Sequence, residues 1–438
     1  MRNIQEKIEI DFTDEAITAS GGAIFLSSMS EYLGLPELIE EKIKLKERDR
    51  GASDVEMMLS MIYCLAQGDG ALLDVDRLNA DTARQALLGL EEVPGHRRLG
   101  EYLARFDDDA VSRLNEVSQE IAKQVAPVVI EHEMKEKGYI PVFIDGSAIE
   151  VSGEYFENAK LGYNDEVQYW LHSVYIGKLW SSCRLNGGGV GVASGWREQL
   201  DEVKELIGER PGVWLRADNA YYSKGVVNYC ADSKWDYSIS VTNDKWKSPV
   251  IETVKNWPDS EWSAIKDDGT EKATIGYHRP AGWKKDEAYV VIRSYMEGRQ
   301  GRLIPCYTVI LTNRVDLPLT EIVKRHRGKQ GQENAQKGPL IDMDLHHPPC
   351  CRFNANRAFY IAGQIAQMLL VAVQFKLLPD RARAHGLRTI IRDLIRTAGK
   401  LVRHARKLKL LFAKTSRRLD WISHAADHLA LLTHPPPA

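Results

Sequence analysis

Long hydrophobic runs are missing from this chain of 438 residues. The longest apolar stretch, Ala358 to Leu378, is interrupted by Gln364, Gln367, Gln374 and Lys376, which fits a buried helix and not a membrane span. The leading residues, Met1 to Lys7, contain no apolar signal region, so a cytoplasmic location and no membrane partner are expected. Cysteine is scarce. Cys64, Cys183, Cys230, Cys306, Cys350 and Cys351 follow no regular framework, and in such a chain the thiols should be reduced. The tract from His346 to Cys351 lacks a second pair at zinc-finger spacing, so no zinc site is expected. Gly187-Gly188-Gly189-Val190-Gly191 lacks the Lys-Ser/Thr of a phosphate loop and reads as a loop or a strand kink. Net charge is nearly absent as well, at −3, with 44% hydrophobic and 27% charged residues, an ordinary soluble composition at a length that suggests two or three domains. That small total hides an asymmetry: from Lys376 to Arg418 there are fourteen Lys and Arg against only Asp380 and Asp393. A near-even sum therefore does not exclude nucleic acid as a partner.

What is present changes character along the chain. Ala23–Leu33, Pro36–Leu45 and Asp54–Gln67 carry apolar residues at helical spacing, and Ser53-Asp54 is a helix start. After Pro94-Gly95, His96 to Phe106 begins an amphipathic helix with a basic leading end. A further helix is expected from Asp107-Asp108-Asp109 to about Val125, stopped by Pro127. This region reads either as a bundle that only packs or as a module gripping DNA ends through the His96–Arg105 segment, with Arg97 and Arg98 in it.

From Gly138 strands alternate with helices. Strands are expected at Ile140–Val151, Trp170–Tyr175, Leu179–Leu185, Val213–Asp218 and Trp235–Val241, and helices at Trp196–Ile207 and from Lys224 to about Asp232. Residues 242–303 break the alternation with short strands at Ala273–His278 and Glu287–Arg293. Trp246, Trp257, Trp262 and Trp283 fall here, either as the core of a β insertion or, for one of them, as a surface that stacks on an extruded base. A buried strand at Pro305–Asn313 and a helix at Leu319–Gln336 capped by Thr320 follow. Helix is expected again from Arg352, where Arg388, Arg392, Arg396, Lys400, Arg403 and Lys407 form one basic stripe suited to DNA-backbone contacts.

Three acids stand out by their surroundings. Asp145 lies at the centre of a β-branched, mostly apolar strand, where a carboxylate is costly to bury unless it meets a cation or a strong partner. Glu150, near the end of that strand, is a weaker candidate. Asp218 ends a second apolar strand, just before the polar turn Asn219 to Ser223. Glu333 sits in the basic segment Lys324–Lys337, and on a helix it shares one face with Lys329 and Lys337. As an exposed ion pair such a group contributes only a few tenths of a kcal/mol. Ringed by cations, with Asp145 and Asp218 as partners, it instead fits metal-dependent phosphoryl transfer on a polyanionic strand. That chemistry uses two divalent ions roughly 3.5–4 Å apart, and hard carboxylate oxygens suit Mg²⁺ or Mn²⁺.

Ile144-Asp145-Gly146-Ser147, Leu215-Arg216-Ala217-Asp218-Asn219-Ala220 and His326-Arg327-Gly328-Lys329-Gln330-Gly331-Gln332-Glu333-Asn334 resemble the three acid-bearing motifs of bacterial DDE transposases. The continuation Gly338 to Pro348 is similar to the IS1380 group within the broader IS4-like set. In the Glu motif of that set a Tyr, an Arg, the Glu and a Lys recur; the matching positions here are His326, Lys329, Glu333 and Leu340, so the Glu alone is kept as such.

The resemblance implies an α/β, ribonuclease-H-like catalytic core with an inserted β subdomain, flanked by all-helical N- and C-terminal regions. Its boundaries would be a helical DNA-binding region at 1–135, the core at 136–241 and 304–375, the β insertion at 242–303 and a basic helical region at 376–438. It further implies Asp145, Asp218 and Glu333 as metal ligands for two Mg²⁺ or Mn²⁺ ions. Double-stranded DNA, as terminal inverted repeats and target, would be the partner of a homodimer in the synaptic complex. His326, Arg327, Lys329 and Lys337 would contact DNA close to the cleavage site.

Overall fold

The computed structural model describes residues 10–46, 50–152, 155–162, 165–241, 248–297, 303–328, 338–404 and 407–433, and they form a mixed α/β fold. The N-terminal part holds β1 (Ile17–Thr18), α1 (Ala23–Tyr32), α2 (Leu35–Lys42), α3 (Asp54–Ala66), α4 (Val75–Ala80), α5 (Thr82–Leu88), α6 (His96–Leu103) and α7 (Asp108–Lys137). Helix α3 starts where expected because Ser53 accepts from the Glu56 N–H at 3.1 Å while the Glu56 carboxylate accepts from the Ser53 N–H at 2.7 Å, a reciprocal cap.

The expected stop at Pro127 does not occur: α7 continues to Lys137 with the proline inside it and ends at Gly138, whose φ of 74° suits glycine. A helix-interior proline costs about 3 kcal/mol. Val125, Ala126, Val129 and Ile130 around it are buried, and each large apolar side chain contributes roughly 1.5–3 kcal/mol. Burial outweighs the missing hydrogen bond.

The middle of the chain gives β2 (Ile140–Glu150), β3 (Lys160–Leu161), β4 (Val167–Ile176), β5 (Leu179–Asn186), α8 (Trp196–Ile207), β6 (Val213–Ala217), α9 (Lys224–Asp232) and β7 (Asp236–Val241). Then come α10 (Pro249–Val254), β8 (Ser263–Ala264), β9 (Lys272–His278), β10 (Glu287–Glu297), β11 (Leu303–Thr312) and α11 (Leu319–Arg327). Among the described residues, ten strands build one sheet in the order β3-β4-β2-β6-β7-β11-β10-β9-β8, with β5 also on β4. The parallel neighbours β2, β6 and β7 are at its centre, and antiparallel strands flank them on both sides. The β-rich stretch expected as an insertion is therefore hydrogen-bonded into the central sheet through β11.

Helix α12 (Phe353–Lys376), the apolar stretch noted in the sequence, is buried along nearly its whole length. It packs against α7, α3, α1 and β5. Its glutamines are used: Gln364 Nε2 donates to the Trp180 carbonyl at 3.0 Å and Gln367 Nε2 to that of Lys178 at 2.7 Å.

The C-terminal region departs from the all-helical expectation. A short α13 (Leu387–Ile390) and a π-helical turn (Ile391–Ile395) give way to an antiparallel hairpin, β12 (Gly399–His404) and β13 (Lys407–Phe412), before α14 (Leu419–Thr433). Strand β12 also pairs with β1. Close backbone approach explains why the hairpin starts at Gly399: a Cβ there would lie 3.0 Å from Gly21 Cα and 2.8 Å from the Leu410 side chain.

Candidate active site

The register of the central sheet makes the site. Strand β2 runs parallel to β6 with Ile144 opposite Ala217, so the next residue on each, Asp145 and Asp218, falls side by side on one face. Both are half-buried. Asp145 Oδ1 accepts from the Gly146 N–H at 2.8 Å, and Asp218 Oδ1 caps the turn after β6 by accepting from the Ala220 N–H at 2.9 Å. Burial first, and then the charge of Asp145, push the Asp218 carboxyl above its ordinary range, against the Ala220 N–H and Arg216. Tyr221, buried behind the pair, is raised by burial and by both carboxylates. Glu150, at the exposed end of β2, lies further along the strand.

Sequence reasoning passed over Arg216. It is buried, two residues before Asp218 on the same strand face, and its positive charge lowers the Asp218 carboxyl. The signal was present: one cation inside the apolar strand Val213–Ala217 is as costly as one acid.

Helix α11 approaches over this same face. The Arg325 guanidinium lies 4.3 Å from the Tyr139 ring and 4.8 Å from that of Trp214, which alternates in phase with Arg216 and Asp218 along β6. His326 Nε2 is 3.1 Å from Ser240 Oγ on β7. The helix begins at Leu319 after Pro318, so Thr320 stands inside the first turn and is not its cap. Glu333, Lys329 and Lys337 lie outside the described residues.

Among the described residues no group of three or more His, Cys, Asp or Glu is placed to hold a metal ion. Asp145 and Asp218 still fit part of such a site by their chemistry, as two adjacent hard-oxygen donors whose mutual repulsion a divalent cation relieves.

The expected DNA contacts fare differently from one another. His326 is buried against Ser240, which withdraws it from the surface cations. Arg327 is ion-paired with Glu271, and Arg98 with Glu92 at 3.6 Å, while Arg97 is exposed on α6. The single helical stripe is a correction. Arg388 is on α13, Arg392 in the π-helical turn and Arg396 at its end, whereas Lys400 and Arg403 are on β12 and Lys407 on β13. Arg392 pairs with Asp393 at 2.6 Å, Arg396 with Asp69, and Lys400 with Glu15 at 2.6 Å. Of the insertion's tryptophans, Trp262 is buried beneath the Arg293 guanidinium, Trp257 and Trp283 are half-buried, and Trp246 lies outside the described residues.

No curated protein matches the chain. A family model described as Transposase DDE domain group 1 matches residues 2–434, nearly the whole length. With two acids of the expected motifs adjacent on one sheet face, this chain belongs to that family of transposase DDE domains.

Proposed function

We propose that this protein is a transposase that binds the terminal inverted repeats of its own element, cleaves their phosphodiester bonds and joins the freed 3′-hydroxyls to target DNA. In this reading Asp145, Asp218 and Glu333 are the catalytic residues of a ribonuclease-H-like core. The IS1380 group is the finer assignment, and cut-and-paste the route.

One observation carries the proposal. Two carboxylates from separate sequence motifs, Asp145 within β2 and Asp218 just past the end of β6, stand side by side on neighbouring parallel strands, and Asp218 is raised by burial and then by Asp145. Two Mg²⁺ or Mn²⁺ ions, when bound by the three acids, supply the Lewis acidity that activates water or a 3′-hydroxyl and stabilises the leaving oxygen. The rest falls to the chain itself. The Gly146 and Ala220 N–H groups fix the two carboxylates in orientation. Arg216 sets a buried positive charge near Asp218. Lys329 and Lys337, with Arg97 and Arg98 on α6, are proposed to contact DNA phosphates, and synapsis of two ends calls for a dimer on DNA.

The test is a labelled duplex carrying the element's terminal repeat, incubated with the protein in Mg²⁺ or EDTA. Metal-dependent nicking at the repeat boundary, lost in Asp145→Asn, Asp218→Asn and Glu333→Gln, is expected. Cleavage retained by any of the three overturns the triad. Nicking without joining leaves a nuclease that cuts only.

A further inference from the structure

From Gly399 to Lys414 the chain has six Lys and Arg and no acid. Within this stretch β12 and β13 form a ribbon, paired from Gly399 opposite Phe412 to His404 opposite Lys407, that carries Lys400, Arg403, Lys407 and Lys409. Its two faces differ. Leu401, Leu410 and Phe412 share the face that packs on the core, and Phe412 lies over Gly21. The other face carries Lys400, Val402, His404, Lys407, Lys409 and Leu411. His404, Lys407 and Lys409 are exposed, as is Leu411 at 44%. Lys400, at the base, is held by Glu15 at 2.6 Å and so fixes the ribbon to the N-terminal segment.

We infer that this outward face of β12–β13 lies in a groove of double-stranded DNA, as a docking element separate from the acid pair; the inference rests on the reading that DNA is the partner. Two strands about 4.8 Å apart fit a major groove roughly 12 Å wide. Six residues of strand span about 20 Å, enough to place Lys407 and Lys409 against phosphates on the groove edge while Leu411 offers an apolar contact to the base edges. No carboxylate in the ribbon competes with the phosphates. A solvated strand face gains nothing from so one-sided a charge.

The experiment measures anisotropy of a labelled 40-base-pair duplex of arbitrary sequence with the full chain, across a salt series. Lys407→Ala/Lys409→Ala removes two phosphate contacts at about 0.9 each, so the slope of log K on log salt should fall by about 1.8. Affinity at low salt should drop tenfold or more, with Lys407→Arg/Lys409→Arg close to wild type. A second measurement needs no variant: in the wild-type chain, DNA should protect Lys407 and Lys409 from acetylation. An unchanged slope, or lysines left unprotected by bound DNA, overturns the ribbon while leaving the DNA-acting reading intact. A loss that the arginine pair shares with the alanine pair also overturns it, since charge is then not the cause. Protection that follows protein concentration and not DNA assigns the face to a second copy instead. A wild-type chain that binds no duplex overturns both readings together.

Discussion

Removing one charge of the acid pair should stabilise the fold while destroying cleavage. Asp145 and Asp218 are neighbours on parallel strands, and strands of a sheet lie about 4.8 Å apart. Two negative charges at about 5 Å repel by roughly 3 kcal/mol at an effective dielectric of 20 and by about 0.8 kcal/mol in water. Both groups are half-buried, so about 1–3 kcal/mol is the working range. Asp218→Asn removes this repulsion and keeps an oxygen to accept from the Ala220 N–H. An unfolding entropy of roughly 2.1 cal/mol/K per residue, summed over 438 residues, is about 0.9 kcal/mol/K. The melting temperature should therefore rise by about 1–3 °C in EDTA at pH 8.

The pH dependence has a definite sign. The Asp218 carboxyl is raised by burial and then by Asp145, so the folded wild-type protein holds that proton more tightly than the unfolded chain. The repulsion is fully present above the raised value, and the variant's advantage should fade as pH falls through it. Millimolar Mg²⁺ or Mn²⁺ should raise the wild-type melting temperature and close the gap, because the ion binds the folded pair and not the variant. Scanning fluorimetry in EDTA and in Mg²⁺ reads all of this. A variant that melts at or below wild type in EDTA refutes the like-charge argument.

Other expectations follow from particular contacts. Asp145→Asn should abolish nicking of a terminal-repeat duplex and leave gel-shift binding within a few-fold of wild type. Asp69→Ala should cost about 3–5 kcal/mol in urea unfolding, since it strands the buried Arg84, whose Nη2 lies 2.8 Å from Asp69, and also releases Arg396; a loss below about 1 kcal/mol refutes this. Ser53→Ala should remove about 1 kcal/mol, because the Glu56 N–H loses the Ser53 hydroxyl as acceptor while the Glu56 carboxylate still accepts from the backbone N–H of residue 53. His172, buried on β4, is lowered to about 4 by burial and by Arg184. The neutral ring therefore supports stability above about pH 6.5, and that support is lost as pH falls toward 4, at up to about 1.4 kcal/mol per pH unit. His172→Gln should flatten this part of a stability-against-pH curve.

Local pattern alone located most elements. Trp196–Ile207 and Lys224–Asp232 fold as helices over those spans, because their apolar periodicity and their flanks agree. It also singled out Asp145 and Asp218, since a carboxylate in or at the end of an apolar strand is costly wherever that strand packs. What the sequence by itself left open was pairing. Nothing local states that β2 lies beside β6 with Ile144 opposite Ala217, yet that register sets the two acids side by side, where burial and then the Asp145 charge raise Asp218.

Tertiary packing also decided the cases where two local readings competed. Pro127 reads as a stop until the buried side chains around it outweigh one lost hydrogen bond. The cations from Arg388 to Lys407 recur at helical spacing, but Lys407-Leu408-Lys409-Leu410 also alternates with the period of a strand. Docking of Leu401, Leu410 and Phe412 on the core, with β1 pairing to β12, selects the strand. Propensity is worth tenths of a kcal/mol per residue and burial worth whole ones, so chemistry was legible from residue types while geometry waited on which faces the fold could bury.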